Sequence, residues 1–294
     1  TGKHSARQGG GIMFQSVTIV GVGLIGGSFS LALKDRGLVR NVIGVSRTDG
    51  TLEKARELGL IDEALPLVEA VKKSDLIYVA IPVDVTVPVM GQIMDVITER
   101  QIVADAGSTK KALCESLDGH PMRKRFVATH PMWGTEYSGP EAAVHQAFVG
   151  RTCVICEKEK SDADAVRVME DVYRQLGMQL VDMDADSHDM HAAYISHISH
   201  ITSFALANTV LEKEKEEEAI FDLAGGGFES TVRLAKSNPS MWLPIFSQNR
   251  EHVLDVLNEH IAQLRKFKSC LEKENYDYLR ELMENANKIR RIIK

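Results

Sequence analysis

Apolar residues fall into short, β-branched runs through the first two thirds of the chain and into long, helically spaced sets after that. Ser16–Val20, Asn41–Ser46, Leu76–Ile81, Gln101–Ala104, Arg125–Thr129, Thr152–Cys156 and Gln179–Met183 read as strands. Several of these runs have almost no polar face, as expected of strands covered on both sides. Helical spacing at Ile25–Arg36, Leu52–Leu58, Val85–Ile97 and Asp162–Leu176 separates them, which predicts an α/β fold with a doubly wound, mostly parallel sheet. Past Met183 the β-rich runs stop. Ser187 to about Val210, Ala219–Lys236, Met241–Leu271 and the stretch from Tyr276 onward predict an all-helical second part. A single helix over Met241–Leu271 would be about 45 Å long. Its apolar stripe, including Leu243, Phe246, Val256 and Leu264, exceeds what one small domain covers and predicts a homodimer.

Composition narrows the function without naming it. A chain of 294 residues, 44% of them hydrophobic, is long enough for two domains with a core in each. Its net charge of −6 argues against nucleic-acid binding. Four scattered cysteines fit a reducing, cytoplasmic setting, and no run of 18 apolar residues predicts a membrane span or a signal peptide. Residues 1–12, with Gly9-Gly10-Gly11, read as an expression remnant. The charge run Glu212–Glu218 reads as a solvated helix end.

The first chemical signal is Gly21-Val22-Gly23-Leu24-Ile25-Gly26, directly after a strand and directly before a helix. In that context the glycines form a dinucleotide fingerprint: Gly21 for the tight turn, Gly23 for close approach of a pyrophosphate, Gly26 for helix–strand packing. The helix start at Leu24 and Ile25 offers free N–H groups to phosphate. Residues 13–184 are therefore expected to form a Rossmann-type dinucleotide-binding domain, and 185–294 a helical substrate and dimerisation domain. The second strand ends in Ser46-Arg47, a hydroxyl and a guanidinium where an NAD site ordinarily has a carboxylate. That pair suits a 2′-phosphate and favours NADP, with NAD left open; Arg47 could equally stack on adenine.

Ligands of open parallel sheets bind beyond the carboxyl ends of the strands. Those ends bring together Pro82, the segment Asp105-Ala106-Gly107-Ser108-Thr109-Lys110 and the segment His130-Pro131-Met132-Trp133-Gly134-Thr135-Glu136. A loop histidine is ordinarily structural, but one sharing this edge with Ser108 is a candidate for acid–base work beside a nicotinamide. His188, His191, His197 and His200 lack metal-ligand spacing, and Cys153 and Cys156 should point to opposite faces of a strand, so no metal is expected.

Taken together, GVGLIGGS, DAGSTK, THPMWGTEYSG, SHISH and the run Gly225–Trp242 resemble the prephenate/arogenate dehydrogenase family of tyrosine biosynthesis over nearly the whole chain after Met13. The resemblance implies oxidative decarboxylation of a cyclohexadienyl substrate with hydride transfer to NAD(P), in a homodimer joined through the helical domain. It implies His130 as the group that accepts a hydrogen bond from the C4 hydroxyl, with Ser108 positioning both. Arg233 would bind a substrate carboxylate unless it pairs with Glu229 one turn away, and His197, His200, Thr135 and Trp242 would line the cleft. Where some family members carry lysine this chain has Glu229; that residue, Glu136 or Glu141 could meet the ammonium of arogenate. A β-hydroxyacid dehydrogenase or imine reductase of similar layout, or a dinucleotide-binding sensor without turnover, are the competing readings. The short stretch after Trp242 predicts a single-function enzyme with no added regulatory domain.

Overall fold

The structure is a computed structural model that describes residues 11–293. Most of the segment read as an expression remnant therefore lies outside the described residues. The chain forms two compact units, one running through Asn249 and one from Arg250 onward.

The first unit is built on eight strands: β1 Phe14–Val20, β2 Val39–Val45, β3 Glu63–Ala64, β4 Leu76–Val79, β5 Ile102–Asp105, β6 Phe126–Pro131, β7 Thr152–Cys156 and β8 Gln179–Met183. They lie in the order β3-β2-β1-β4-β5-β6-β7-β8, and all neighbours are parallel except β6 and β7. Period-two alternation sorts the side chains onto two cores. Val17, Ile19, Leu76, Tyr78 and Ile155 face one, while Val20, Ile77, Val79, Val103 and Val154 face the other.

Helices α1 Leu24–Asp35, α2 Asp49–Glu57, α3 Leu67–Lys73, α4 Val83–Met94, α5 Lys111–Leu117 and α6 Ala163–Gln175 cover these faces. α1, α2 and α6 close the first core with Phe29, Ala55 and Met169. α3, α4 and α5 close the second with Val71, Ile93 and Leu113. The sheet is thus doubly wound, as its apolar runs predict. Cys153 and Cys156 enter different cores, so the CxxC spacing cannot make one site.

Beyond β8 the unit is helical. α7 Ala185–Ala192, capped by the Asp184 carboxylate on the Ser187 N–H at 2.7 Å, runs through a π-helical turn at Ala193–His197 into α8 Ile198–Glu214. The expected helix Ala219–Lys236 is instead a 3₁₀ turn Glu218–Leu223, α9 Gly226–Val232 and a second 3₁₀ turn Arg233–Lys236. The break falls at Ala224 and Gly225, both extended, and α9 begins at once with Gly226 and Gly227. α10 Pro239–Gln248 starts on an Asn238 cap.

The single long helix expected over Met241–Leu271 is also two helices. It divides at Asn249, whose ψ of 27° leaves the helical region and whose side chain turns into the protein. The second unit then consists of α11 Arg250–Glu272, α12 Tyr276–Ala286 capped by Asn275, and a closing 3₁₀ turn Asn287–Arg291, with α11 and α12 packed together. Among the described residues no helix is long and apolar enough to cross a membrane.

Candidate active site

Every side chain of the candidate site belongs to the first unit. At the β1–α1 turn Gly21 has φ +95°, and a Cβ there would sit 2.4 Å from the Ala80 carbonyl oxygen. A Cβ on Gly26 would lie 2.1 Å from the Gly21 carbonyl oxygen. Both positions exclude any side chain. Gly23 differs: the nearest atom to its Cβ would be 4.0 Å away, so its bareness keeps the surface open rather than relieving a clash. No acidic residue occupies the first turn of α1 and no side chain caps it, so its first N–H groups are available to an anion. Leu24 is buried, which leaves only its backbone to meet a ligand there.

In front of this turn lies a cleft of about 710 Å³ lined by Gly21, Gly23, Ser46, Arg47, Pro82 and Met241 among others. Its size suits a dinucleotide-sized ligand. Among the described residues lining it Arg47 is the one charged group, and no carboxylate stands at the end of β2. The Ser46 Oγ accepts from the Thr48 N–H at 3.3 Å, which fixes the turn that presents Arg47. Ile25, Pro82, Ser108 and Met241 line a smaller pocket of about 90 Å³.

The loop that carries Ser108 is pinned from inside. Lys110 and Asp105, both fully buried, form an ion pair, and Asp105 also accepts from the Gly107 and Thr129 N–H groups at 3.0 and 3.1 Å. Buried charges are stable only when paired and hydrogen-bonded in this way.

His130, at the end of β6, is buried, and its Nδ1 lies 2.7 Å from the Nε2 of His188 on α7. The Nδ1 of His188 lies 2.7 Å from Asp189 Oδ1. A carboxylate can only accept, so His188 carries its proton on Nδ1 and presents a lone pair at Nε2. His130 then donates from Nδ1, which leaves its own Nε2 as an acceptor. Burial, reinforced by His188, Lys110 and His197, holds the His130 pKa well below its ordinary value, so the ring is neutral at pH 7. Asp189 has a second duty: its two oxygens accept the Lys110 and Lys111 N–H groups at 2.8 and 3.1 Å, capping the start of α5. One carboxylate thereby anchors both the histidine pair and the loop of Ser108.

A second cluster adjoins the first. Trp242 stacks on His200 with ring centroids 3.3 Å apart and meets His197 edge-on at 6.0 Å. The Nδ1 of His200 donates to the Ser196 carbonyl at 3.1 Å, so its Nε2 is a lone pair. Arg233 does not pair with Glu229, because α9 ends before it; its Nη1 donates to Glu136 Oε2 at 2.7 Å. That contact joins the two segments expected to meet substrate. The Glu136 carboxyl is held below the usual range by its own backbone N–H and by Arg233. Thr135 is not drawn into the cluster: it is exposed, and its hydroxyl accepts from the Tyr137 N–H at 3.2 Å.

Spacing along the chain raises His188 only as a metal ligand and singles out neither Asp189 nor Asn249. The adjacent His188-Asp189 pair was the available signal, but its link to His130 spans 58 positions.

Two family models match the chain. "Prephenate dehydrogenase, nucleotide-binding domain" matches residues 29–182, and "Prephenate dehydrogenase, dimerization domain" matches residues 184–285. The prephenate dehydrogenase of Bacillus subtilis is 30% identical over 281 residues, which are 95% of this chain and 76% of that protein. The cyclohexadienyl dehydrogenase of Zymomonas mobilis is 28% identical over 96% of this chain and 97% of its own. Among solved structures, prephenate dehydrogenase from Aquifex aeolicus in complex with hydroxyphenyl propionate and NAD+ superposes with a TM-score of 0.88. It is 30% identical over 95% of this chain and 98% of that one.

Proposed function

This chain belongs to the prephenate dehydrogenase family, whose reaction is a nicotinamide-linked oxidative decarboxylation in tyrosine biosynthesis, and on that premise we propose which of its residues carry the chemistry and which cofactor it prefers. The observation that carries the assignment is the string Asp189–His188–His130, which leaves a neutral acceptor at the same carboxyl edge of the sheet as the glycine turn, three strands along from it.

The Gly23 surface, the free N–H groups of α1 and the cleft beyond them would hold the cofactor's phosphates and ribose. When bound, the nicotinamide supplies the hydride acceptor for C4 of the substrate ring. His130 accepts a hydrogen bond from the C4 hydroxyl at Nε2 and polarises it. It takes up the proton as C4 gains carbonyl character and returns it once loss of the ring carboxylate as CO2 has made the ring aromatic. His188 and Asp189 keep His130 in the tautomer that can do this and support the transient imidazolium. Ser108 positions the hydroxyl. Arg233 binds a substrate carboxylate through its guanidinium, and His197, His200 and Trp242 wall the cleft, with Thr135 contributing only if its loop closes over the substrate.

Ser46 and Arg47, in a cleft whose lining holds no carboxylate, support NADP over NAD. Both candidate substrates carry a carboxylate for Arg233; prephenate has no ammonium that needs a carboxylate partner of its own, which supports it as the first substrate. Glu136 supports arogenate as a second substrate, because a carboxylate already held at Arg233 is placed for an ammonium. The exposed apolar residues Leu254, Leu264 and Leu271 of α11 support a homodimer through the region matching the dimerization model. The deciding experiment is initial-rate kinetics with prephenate and arogenate, each with NAD and NADP. Highest kcat/KM with prephenate and NADP is expected; equal efficiency with both cofactors would remove Arg47 from cofactor selection.

A further inference from the structure

At the end of α10, outside everything assigned above, Asn249 is 3% exposed and its side chain spans two elements. Its Nδ2 donates to the Asp189 backbone carbonyl at 2.8 Å and to His197 Nδ1 at 3.1 Å. An amide can be turned end for end, but only one orientation is stable here. With oxygen and nitrogen exchanged, Oδ1 would face the Asp189 carbonyl oxygen, two acceptors with no proton between them. The carbonyl therefore fixes the amide, one NH2 hydrogen serves each partner, and His197 must accept at Nδ1. A neutral ring then carries its hydrogen on Nε2, and an imidazolium would set Nδ1–H against the amide's own N–H.

We propose that Asn249 is a positioning residue: by fixing the tautomer of His197 it presents a neutral Nε2–H donor to a substrate oxygen, beside the acceptor His130. This rests on the reading of His197 as a wall of the substrate cleft. The pairing also divides the two histidines that touch Trp242 by role, since His197 offers a hydrogen while His200 offers a lone pair. The π-helical turn that ends at His197 inserts the extra residue that re-aims this ring, a use to which such turns are often put.

Neutrality matters because the groups crowd one another. Asp189 and His188 of α7, His200 of α8 and His130 of β6 all act on His197, and α10 presents Trp242, which does not titrate. A proton on His197 would disfavour the proton that His130 must take up. Burial is the main cause that lowers the His197 pKa to about 4, and the Asn249 amide blocks the same protonation sterically and electrostatically.

The test is long-range ¹H–¹⁵N spectroscopy of the full chain with labelled histidine, the His197 signals being assigned by their loss in His197→Gln. At pH 6.5 the wild type should show a protonated Nε2 and an unprotonated Nδ1; a protonated Nδ1 overturns the proposal before any variant is made. Asn249→Asp replaces a donor with an acceptor, and should move the hydrogen to Nδ1 or charge the ring. It should raise KM for prephenate about tenfold, change kcat less than about threefold and leave cofactor affinity unchanged. An unchanged tautomer in Asn249→Asp would overturn the proposal. If the tautomer is as stated but His197→Gln leaves KM within twofold, the substrate reading of His197 fails and the positioning role with it, while the hydrogen bond stands.

Discussion

Replacing Arg233 with glutamine separates a substrate contact from a structural ion pair. The Arg233 side chain is 52% exposed, and its partner among the described residues is Glu136 at 2.7 Å. An ion pair with one member so open to solvent is worth about 0.2–1 kcal/mol, so its loss should shift the melting temperature by no more than about 2–4 °C in a unit of this size. A guanidinium gripping a substrate carboxylate in two parallel bonds contributes more. About 2.7 kcal/mol of ground-state binding corresponds to a KM raised on the order of 10²-fold, with kcat and cofactor affinity nearly unchanged. Because Glu136 competes for the same guanidinium, Glu136→Gln should lower KM for prephenate by up to about fivefold, the worth of the exposed pair. The same change should raise KM for arogenate, whose ammonium loses its carboxylate. Initial rates at saturating cofactor, paired with thermal melts, measure both. A KM for prephenate that moves less than twofold in Arg233→Gln while the melting temperature drops sharply would make Arg233 structural and refute the assignment.

Three further outcomes are expected. Ser46→Asp should shift the ratio of kcat/KM for NADP over NAD toward NAD by at least tenfold, because a carboxylate would stand where a 2′-phosphate is received; an unchanged ratio sinks the idea. Acid should destabilise the fold through His197, whose pKa falls from an ordinary 6.5 to about 4 on folding. The unfolded chain alone takes up this proton below pH 6.5, so stability is intact above that pH and falls by about 2 kcal/mol between pH 6.5 and 5 from this residue. Urea unfolding of His197→Asn should show a slope shallower by about one proton over that window, and an unchanged slope contradicts the burial argument. Sedimentation at micromolar concentration should show a dimer; a stable monomer would count against the apolar stripe of α11 as an interface.

Local pattern carried most of the sheet. Seven strands were legible because each is a β-branched run filling a core, whereas β3, Glu63–Ala64, is two residues long and has no apolar signature. α3 and α5 were missed for a similar reason: seven residues give barely two helical turns of periodicity. The apolar stripe lapses over the six polar residues from Ser247 to His252, and the helix breaks within them at Asn249, a poor helix former whose side chain is held by Asp189 and His197 instead. The site divides the same way. Glycine turn, Ser108 and His130 were legible from their places at strand ends, while the partners that set protonation were not. His188 reaches His130 across 58 positions and Arg233 reaches Glu136 across 97, distances at which no spacing rule operates.

In the proposed mechanism a neutral His130 takes the C4 hydroxyl proton as hydride leaves C4. Single-turnover conversion of prephenate to 4-hydroxyphenylpyruvate and CO2, followed in wild type and His130→Asn at saturating cofactor, tests it most directly. Asparagine can still hydrogen-bond the hydroxyl but cannot accept its proton, so the rate should fall by about 10²–10⁴ while cofactor affinity is retained. A His130→Asn enzyme that turns over within about threefold of wild type would place the proton acceptor elsewhere and contradict the account.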